Sequence, residues 1–192
     1  VNAMAADADG AVVDCFGGAE DLRNGVIRCV GAPEERFTED ALRMMRAIRF
    51  SAQLGFVIED HTVSAIQKLA LTIKKISAER IQMELVKLLT SDHPDELRMA
   101  WELGLTKVFL PEFDRMMETG QNTPHHCYSV GEHTLKTLEY IPADKVLRYT
   151  MLLHDMGKPA AKVTDANGRD HFKGHETESE KLAGNILHRL KL

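Results

Sequence analysis

The sequence predicts a mainly α fold with a short β segment confined to its first thirty residues. Three observations carry this. Short apolar runs separated by turn residues occur only before Val30. From Thr38 onward, helix caps, apolar stripes at helical spacing and Gly or Pro stops agree with one another. A chain of 192 residues, 44% hydrophobic and 28% charged, buries a sizeable core as one large domain or two small ones.

Taken in order, Ala3 to Ala8, Asp9-Gly10 and Ala11 to Cys15 make a hairpin pattern with a primed turn, and Val26 to Val30 reads as a further strand. Two or three such strands are marginal alone. With no methionine at residue 1, the chain is therefore expected to be a fragment whose upstream sheet is missing. Gly17-Gly18 between Asp14 and Asp21 marks a tight turn or hinge. Thr38 is expected to cap a long helix with Glu39 and Asp40 in its first turn and Gly55 behind Leu54 as its stop.

Helices are expected at roughly 61 to 74, at 78 to 90 behind Ser77, at 94 to 103 between Pro94 and Gly104, and near 112 to 118. Ile81, Leu85 and Leu88 form an apolar stripe, and Met44, Met45, Met116 and Met117 read as packing residues. Gly120-Gln121-Asn122-Thr123-Pro124 is the clearest linker. Beyond it, Ser129 or Gly131 starts a helix bearing His133, and Pro142 separates it from a helix running to Asp155 and ended by Gly157-Lys158-Pro159. A loop through Asn167-Gly168 leads to a last helix, Glu176 to Leu190.

Net charge of -5 and a pI near 6.0 exclude nucleic-acid binding by overall charge, so any RNA contact is local. Cys15, Cys29 and Cys127 form no CxxC pair and are odd in number, which fits a reducing cytoplasm better than a disulfide framework or a thiolate zinc site. The sequence has neither a membrane-spanning apolar stretch nor a signal-peptide pattern.

Two constellations bear chemistry. Asp40, Arg43, Arg46 and Arg49 recur every three residues, and between Arg23 and Arg49 there are six arginines and no lysine, which suits planar bidentate contacts. A carboxylate beside a guanidinium sets an acceptor beside donors, matching the exocyclic amine and ring nitrogen of cytosine or adenine but not uracil or guanine. The same spacing also suits a solvated helix with an ion pair worth a few tenths of a kcal/mol, and spacing alone does not separate the two. In the second constellation, six of nine histidines fall between His125 and His175. His133, His154 and Asp155, with Lys158 and His175 following, have the layout of a site for a divalent transition metal beside a phosphate.

Arg36-Phe37-x-Glu39-Asp40-x-x-Arg43-x-x-Arg46-Ala47-x-Arg49-Phe50 resembles the neck motif of bacterial class II tRNA nucleotidyltransferases and poly(A) polymerases. The same family is suggested by Val1-Asn2-Ala3-Met4-Ala5, Asp14-x-Phe16-Gly17-Gly18-x-x-Asp21-Leu22, Ile27-Arg28-x-Val30-Gly31 and Glu79-Arg80-Ile81-x-x-Glu84-Leu85. His126-x-Tyr128-x-Val130-x-x-His133-Thr134-Leu135, Leu153-His154-Asp155-x-Gly157-Lys158-Pro159 and His171-Phe172-x-Gly174-His175-Glu176 are similar to HD domains attached to some of its members.

The resemblance implies the remnant of a truncated palm in residues 1–35, a helical neck and body in 36–120 and an all-α HD domain in 121–192. It implies that Asp40 and Arg43 form a protein template selecting CTP or ATP, with Glu39 in support and Arg46 and Arg49 continuing toward the triphosphate or the RNA 3′ end. Asp14, Gly17, Gly18 and Asp21 would lie at the hinge between head and neck. The Mg²⁺-binding carboxylates of nucleotidyl transfer belong to the family's head, so no catalytic residue is expected in this chain. HD phosphohydrolases also use a later Asp, yet no Asp or Glu follows Glu180; Asp165 and Asp170 are the remaining candidates. Three functions are weighed: part of an RNA nucleotidyltransferase acting on tRNA or other RNA 3′ ends, a metal-dependent HD phosphohydrolase, and a non-catalytic RNA-binding module.

Overall fold

A computed structural model describes residues 4–122 and 128–192. Val1-Asn2-Ala3, Thr123-Pro124 of the linker, His125, His126 and Cys127 lie outside the described residues. The chain opens with an antiparallel hairpin of β1 (Met4–Ala6) and β2 (Val12–Asp14), with Ala5 opposite Val13. Its connection is longer than the two-residue turn expected at Asp9-Gly10. The Asp7 carboxylate accepts the N–H groups of Asp9 and Ala11 at 3.0 and 2.8 Å, an Asx turn that organises residues 7 to 11.

Next come α1 (Gly18–Asn24) and β3 (Val26–Ile27), joined through Gly25 at φ 65°. The strand stops short of Val30, because the Cys29 N–H turns to the Thr62 hydroxyl at 3.2 Å and Gly31 adopts φ 78°. The expected single neck helix is two helices, α2 (Pro33–Glu39) and α3 (Leu42–Leu54). Pro33 pre-sets the first turn, so the helix starts before Thr38, whose hydroxyl donates to the Glu34 carbonyl at 2.7 Å instead of capping. Asp40 is extended, at φ −149° and ψ 101°, and its carboxylate accepts the Leu42 N–H at 3.2 Å; Gly55 closes α3 at φ 65° as expected.

Beyond α3, β4 (Val57–Ile58) pairs in parallel with β3. It is followed by α4 (Asp60–Leu69), which continues as a 3₁₀ stretch Ala70–Lys75, and by α5 (Ala78–Leu89) behind Ser77. A 3₁₀ turn Pro94–Glu96 leads into α6 (Leu97–Glu102), α7 (Thr106–Phe109) and α8 (Pro111–Glu118). The later part comprises α9 (Val130–Tyr140), capped by Ser129, and α10 (Lys145–Leu153), capped by Asp144. Then come α11 (Lys158–Ala161), the hairpin β5 (Val163–Thr164) with β6 (Asp170–His171), and α12 (His175–Leu190).

The mainly helical architecture stands, and among the described residues no sheet exceeds two strands. The confinement of strands to the first thirty residues does not stand, since β4, β5 and β6 lie beyond it. Strands of two residues carry no period to read. Gly157-Lys158-Pro159 opens α11 rather than ending α10, with Pro159 in its first turn. The core runs as one cluster from Phe37 to Leu190 and takes in Ile81, Leu85, Leu88 and all four of the methionines expected there. Arg98 to Glu132, at 2.9 and 2.7 Å, and Arg189 to Glu112, at 3.0 and 2.6 Å, tie residues before the linker to residues after it. No helix is long and apolar enough to cross a membrane.

Arg49 departs from the expected exposed stripe: it is 8% exposed and lies against α5, with Nε 3.0 Å from Glu84 Oε2. Three-residue spacing falls about 60° short of a full turn at each step, so the stripe, half-exposed at Arg46, has turned into the interface by Arg49. The Arg49 N–H is not aimed at the Glu84 oxygen, so the contact is an ion pair rather than a hydrogen bond. Arg49 also stacks on Phe50, 4.0 Å from the ring centre. Arg49→Ala strands a buried carboxylate and is expected to cost about 3–5 kcal/mol. Arg46→Ala, at the half-exposed end of the same cluster, should cost under about 1 kcal/mol. Urea unfolding of the two variants checks the difference.

Candidate functional site

The break between α2 and α3 brings the first constellation together. Glu39, on the last turn of α2, accepts from Arg36 at 2.7 Å and from Arg43 at 3.0 Å, and Arg43 Nη1 also reaches the Arg36 carbonyl at 3.4 Å. Arg43 is thereby oriented with donors to spare, since a guanidinium carries five N–H groups. The Arg43 N–H bonds the Asp40 carbonyl at 3.1 Å, so both residues belong to one turn. Asp40 Oδ2 lies 2.8 Å from Arg80 Nη2, and Oδ1 takes the Leu42 N–H. Burial pushes the Asp40 carboxyl up, but Arg80 and the Leu42 N–H outweigh it and hold it below its ordinary value.

Two cavities flank the break. One of about 400 Å³ is lined by Asp40, Arg80, Lys75 and Thr72. A groove of about 540 Å³ is lined by Arg36, Arg43 and Arg46 together with apolar residues of the first thirty positions. Arg49 belongs to neither.

The residues expected at a hinge are well anchored. Asp14 accepts the N–H groups of Phe16, Gly18 and Ala19 at 3.3, 2.9 and 2.8 Å, and these bonds lower its pKa. The carboxylate thus serves the start of α1, while Gly17 at φ 73° makes the turn that glycine favours. Asp21 holds Arg28 through two oxygens at 3.0 Å, and Arg28 continues to Glu59 at 3.4 Å. Glu59 caps α4 through the Thr62 N–H.

In the second constellation the ligand atoms of His133, on α9, and of His154 and Asp155, just past α10, lie within 4.8 Å of one another. His154 donates from Nδ1 to the Met151 carbonyl at 2.7 Å, which leaves Nε2 facing Asp155 at 3.2 Å. Lys158 Nζ sits 2.8 Å from Asp155 Oδ2, and His175 Nε2 lies 3.5 Å from Oδ1. Lys158, expected to face a phosphate, thus contacts the carboxylate and also Gln121 at 3.3 Å.

Burial raises the Asp155 carboxyl, but His154 and Lys158 outweigh it and bring it down to about 2. Burial likewise lowers the His154 pKa, and the neighbouring carboxylate more than reverses this. Asp155 Oδ2 is buried and receives no well-directed hydrogen bond, although two cationic groups approach it. A buried carboxylate with its oxygen beside two imidazoles is a donor set that fits a divalent cation, which would displace the Lys158 ammonium.

Neither Asp165 nor Asp170 joins this cluster. Asp165 shapes the turn at Asn167-Gly168 and meets His171 at 2.9 Å. Asp170 accepts from the Asn122 N–H at 2.7 Å, the Thr164 hydroxyl at 2.7 Å and Lys162 at 2.9 Å. The described part of the linker is therefore pinned to the β5–β6 hairpin, with Gln121 buried. Sequence reasoning gave no role to Arg80, Glu84 or Gln121. Arg80 and Glu84 stood inside a motif already singled out, whereas nothing local marked Gln121.

A family model described as "Probable RNA and SrmB- binding site of polymerase A" matches residues 55–117. A "Multifunctional CCA protein" of Neisseria gonorrhoeae is 37% identical over 199 residues, an alignment covering all of this chain and 47% of that protein. A "CCA-adding enzyme" of Ligilactobacillus salivarius is 53% identical over 96 residues, covering 50% of this chain and 24% of its own length. Thus the chain spans about half, or less, of the curated relatives it matches. The crystal structure of the Bacillus stearothermophilus CCA-adding enzyme in complex with CTP superposes with a TM-score of 0.63 at 31% identity, over 99% of this chain and 44% of that one. A Thermotoga maritima CCA-adding enzyme complexed with tRNA shares the fold, with a TM-score of 0.60 at 24% identity.

The histidine site depends on a close backbone approach at Gly157. A methyl group there would collide with the His175 carbonyl and stand 2.6 Å from the Ser179 nitrogen, and the Gly157 N–H bonds Ser179 Oγ at 2.9 Å. Gly157→Ala is expected to cost about 1–3 kcal/mol by overpacking, a value within reach of thermal unfolding measurements. The same variant should shift the imidazole resonances of His154 and His175 in NMR spectra, because α12 is pushed away from Asp155.

Proposed function

Because the chain belongs to the family of class II CCA-adding enzymes and poly(A) polymerases, we propose that it supplies the base-selecting part of a template-independent RNA nucleotidyltransferase. The parent protein extends tRNA or other RNA 3′ ends from CTP and ATP in the cytoplasm. Its functional units are a partial head in 1–35, the neck and body in 36–120 and an HD domain in 121–192. One observation carries the reading: an ionised Asp40 and a Glu39-oriented Arg43 issue from a single turn between two cavities.

Asp40 accepts the exocyclic amine of cytosine or adenine, and Arg43 donates to the ring nitrogen beside it. Uracil and guanine present a carbonyl where Asp40 needs a donor, so they are rejected by carboxylate–carbonyl repulsion. Arg46, half-exposed on the groove, faces the triphosphate or the RNA end, whereas Arg49 supports the neck from within. Residues 55–117 contribute to RNA binding, in keeping with the family model they match. Phosphoryl transfer in this family uses Mg²⁺ held by head carboxylates; we assign them to the part of the relatives' length that this chain does not span, so these residues select nucleotides without transferring them.

A second activity is favoured by the histidine cluster, which we read as a metal-dependent HD phosphohydrolase site. His133, His154 and Asp155 would hold a divalent transition metal, which when bound supplies an activated water for phosphate-ester hydrolysis. His175 lies at the edge of the cluster, positioned to contact a phosphate, and Lys158 would turn from Asp155 toward the same anion. Without a later carboxylate ligand, metal occupancy should be partial.

In the full-length protein, Asp40→Ala and Arg43→Ala are each expected to lower discrimination between CTP and UTP by about 1–3 kcal/mol, read as the ratio of kcat/KM values. Loss of folding with an unchanged ratio would make the cluster structural. For the second site, elemental analysis should find substoichiometric transition metal in the wild type and none in His154→Ala. Equal and negligible contents in both would remove the metal reading.

A further inference from the structure

We propose that Arg80, on the first turn of α5, is a positioning residue for base selection: it holds the Asp40 carboxylate in the orientation from which that group accepts a base amine. The proposal rests on the reading of Asp40 as the base-selecting acceptor. Asp40 lies in neither neck helix, so no helical packing orients its side chain. The Leu42 N–H holds Oδ1 at 3.2 Å, and Arg80, forty residues away, holds Oδ2 at 2.8 Å. Two anchors on two oxygens fix the rotation of the carboxylate plane. They leave acceptor capacity, because each carboxylate oxygen offers two lone-pair sites and each is used once.

The ionised form of Asp40 is the one that orientation serves. An ionised carboxylate only accepts, which suits the amine of cytosine or adenine. A protonated one carries an O–H donor and would bond the carbonyl that uracil or guanine presents at the same place, reversing the selection. Burial raises the Asp40 carboxyl, and Arg80, the Leu42 N–H and the Arg43 charge more than offset it, so the group stays an acceptor in its cleft.

The placement is suited to this task and poorly suited to a merely stabilising one. The two side chains retain 45% and 25% of their exposure, and an ion pair that open adds little to folding. α5 packs along α3 and presents Arg80 and Glu84, one turn apart, to the neck: Glu84 meets Arg49 at the interface, and Arg80 reaches the break. The rigid α3–α5 contact thus sets where the Arg80 guanidinium stands.

The test uses the full-length protein with a tRNA-like acceptor and compares wild type, Arg80→Met, Arg80→Lys, Asp40→Ala and the Asp40→Ala/Arg80→Met double variant. Arg80→Met should lower the CTP-to-UTP ratio of kcat/KM roughly tenfold, the lower end of what a base contact carries, with little change in thermal midpoint. Arg80→Lys, which keeps the charge, should recover much of the ratio, and the double variant should discriminate no worse than Asp40→Ala. A wild-type ratio in Arg80→Met alongside a lost ratio in Asp40→Ala overturns the proposal and leaves the Asp40 reading intact. A wild-type ratio in Asp40→Ala overturns the underlying reading instead. If Arg80→Met does not fold, Arg80→Ala, which likewise removes every side-chain donor and the charge, is measured in its place, and a wild-type ratio there is equally decisive against the proposal.

Discussion

The packing of α3 along α5 is the contact on which the rest of the structure depends. Met44, Met45 and Ile48 from one helix and Ile81, Leu85 and Leu88 from the other are buried in the same core. Apolar packing alone permits small slides, because methionine adapts to many shapes. The buried Arg49 and Glu84 remove that freedom, since moving either away strands a charge out of water. A buried ion pair set within an apolar interface is weak as a source of stability and strong as a register mark. Here it marks how far along α3 the helix α5 sits.

Much of the architecture was legible because its signals are local. Gly55 after an apolar helix, Ser129 before another and the stripe of Ile81, Leu85 and Leu88 each declare themselves within a few residues. What escaped depends on distant partners. Thr38 reads as a helix start only if Pro33 is overlooked, and the break at Asp40 is completed by a guanidinium forty residues away. Gly157 looks like a helix stop by composition, yet its bare Cα is needed because the start of α12 passes directly over it. Arg49 shares the spacing of its neighbours and differs from them only through the drift of a three-residue repeat against the helical turn.

The histidine cluster divides along the same line. Order and spacing were enough to bring His133, His154 and Asp155 to one place. The loop carboxylates could not be judged that way, because Asp165 and Asp170 find their partners in a turn and in the linker backbone. A carboxylate already holding two hydrogen bonds and an ammonium, as Asp170 does, has little reason to leave them for a cation.

The bidentate contact of Arg98 with Glu132 joins the region matching the RNA-binding family model to the first turn of α9, one residue before His133. Arg98 is protonated at any working pH, and its hydrogen bonds hold the Glu132 carboxyl below the ordinary value, so the link stays charged at neutral pH and is lost only as acid protonates Glu132. The pair is a direct mechanical link between the two regions, and any coupling of binding that ran through it would be reciprocal by thermodynamic necessity. Ligands that bound at both places and each biased α9 would change one another's affinity by the same factor.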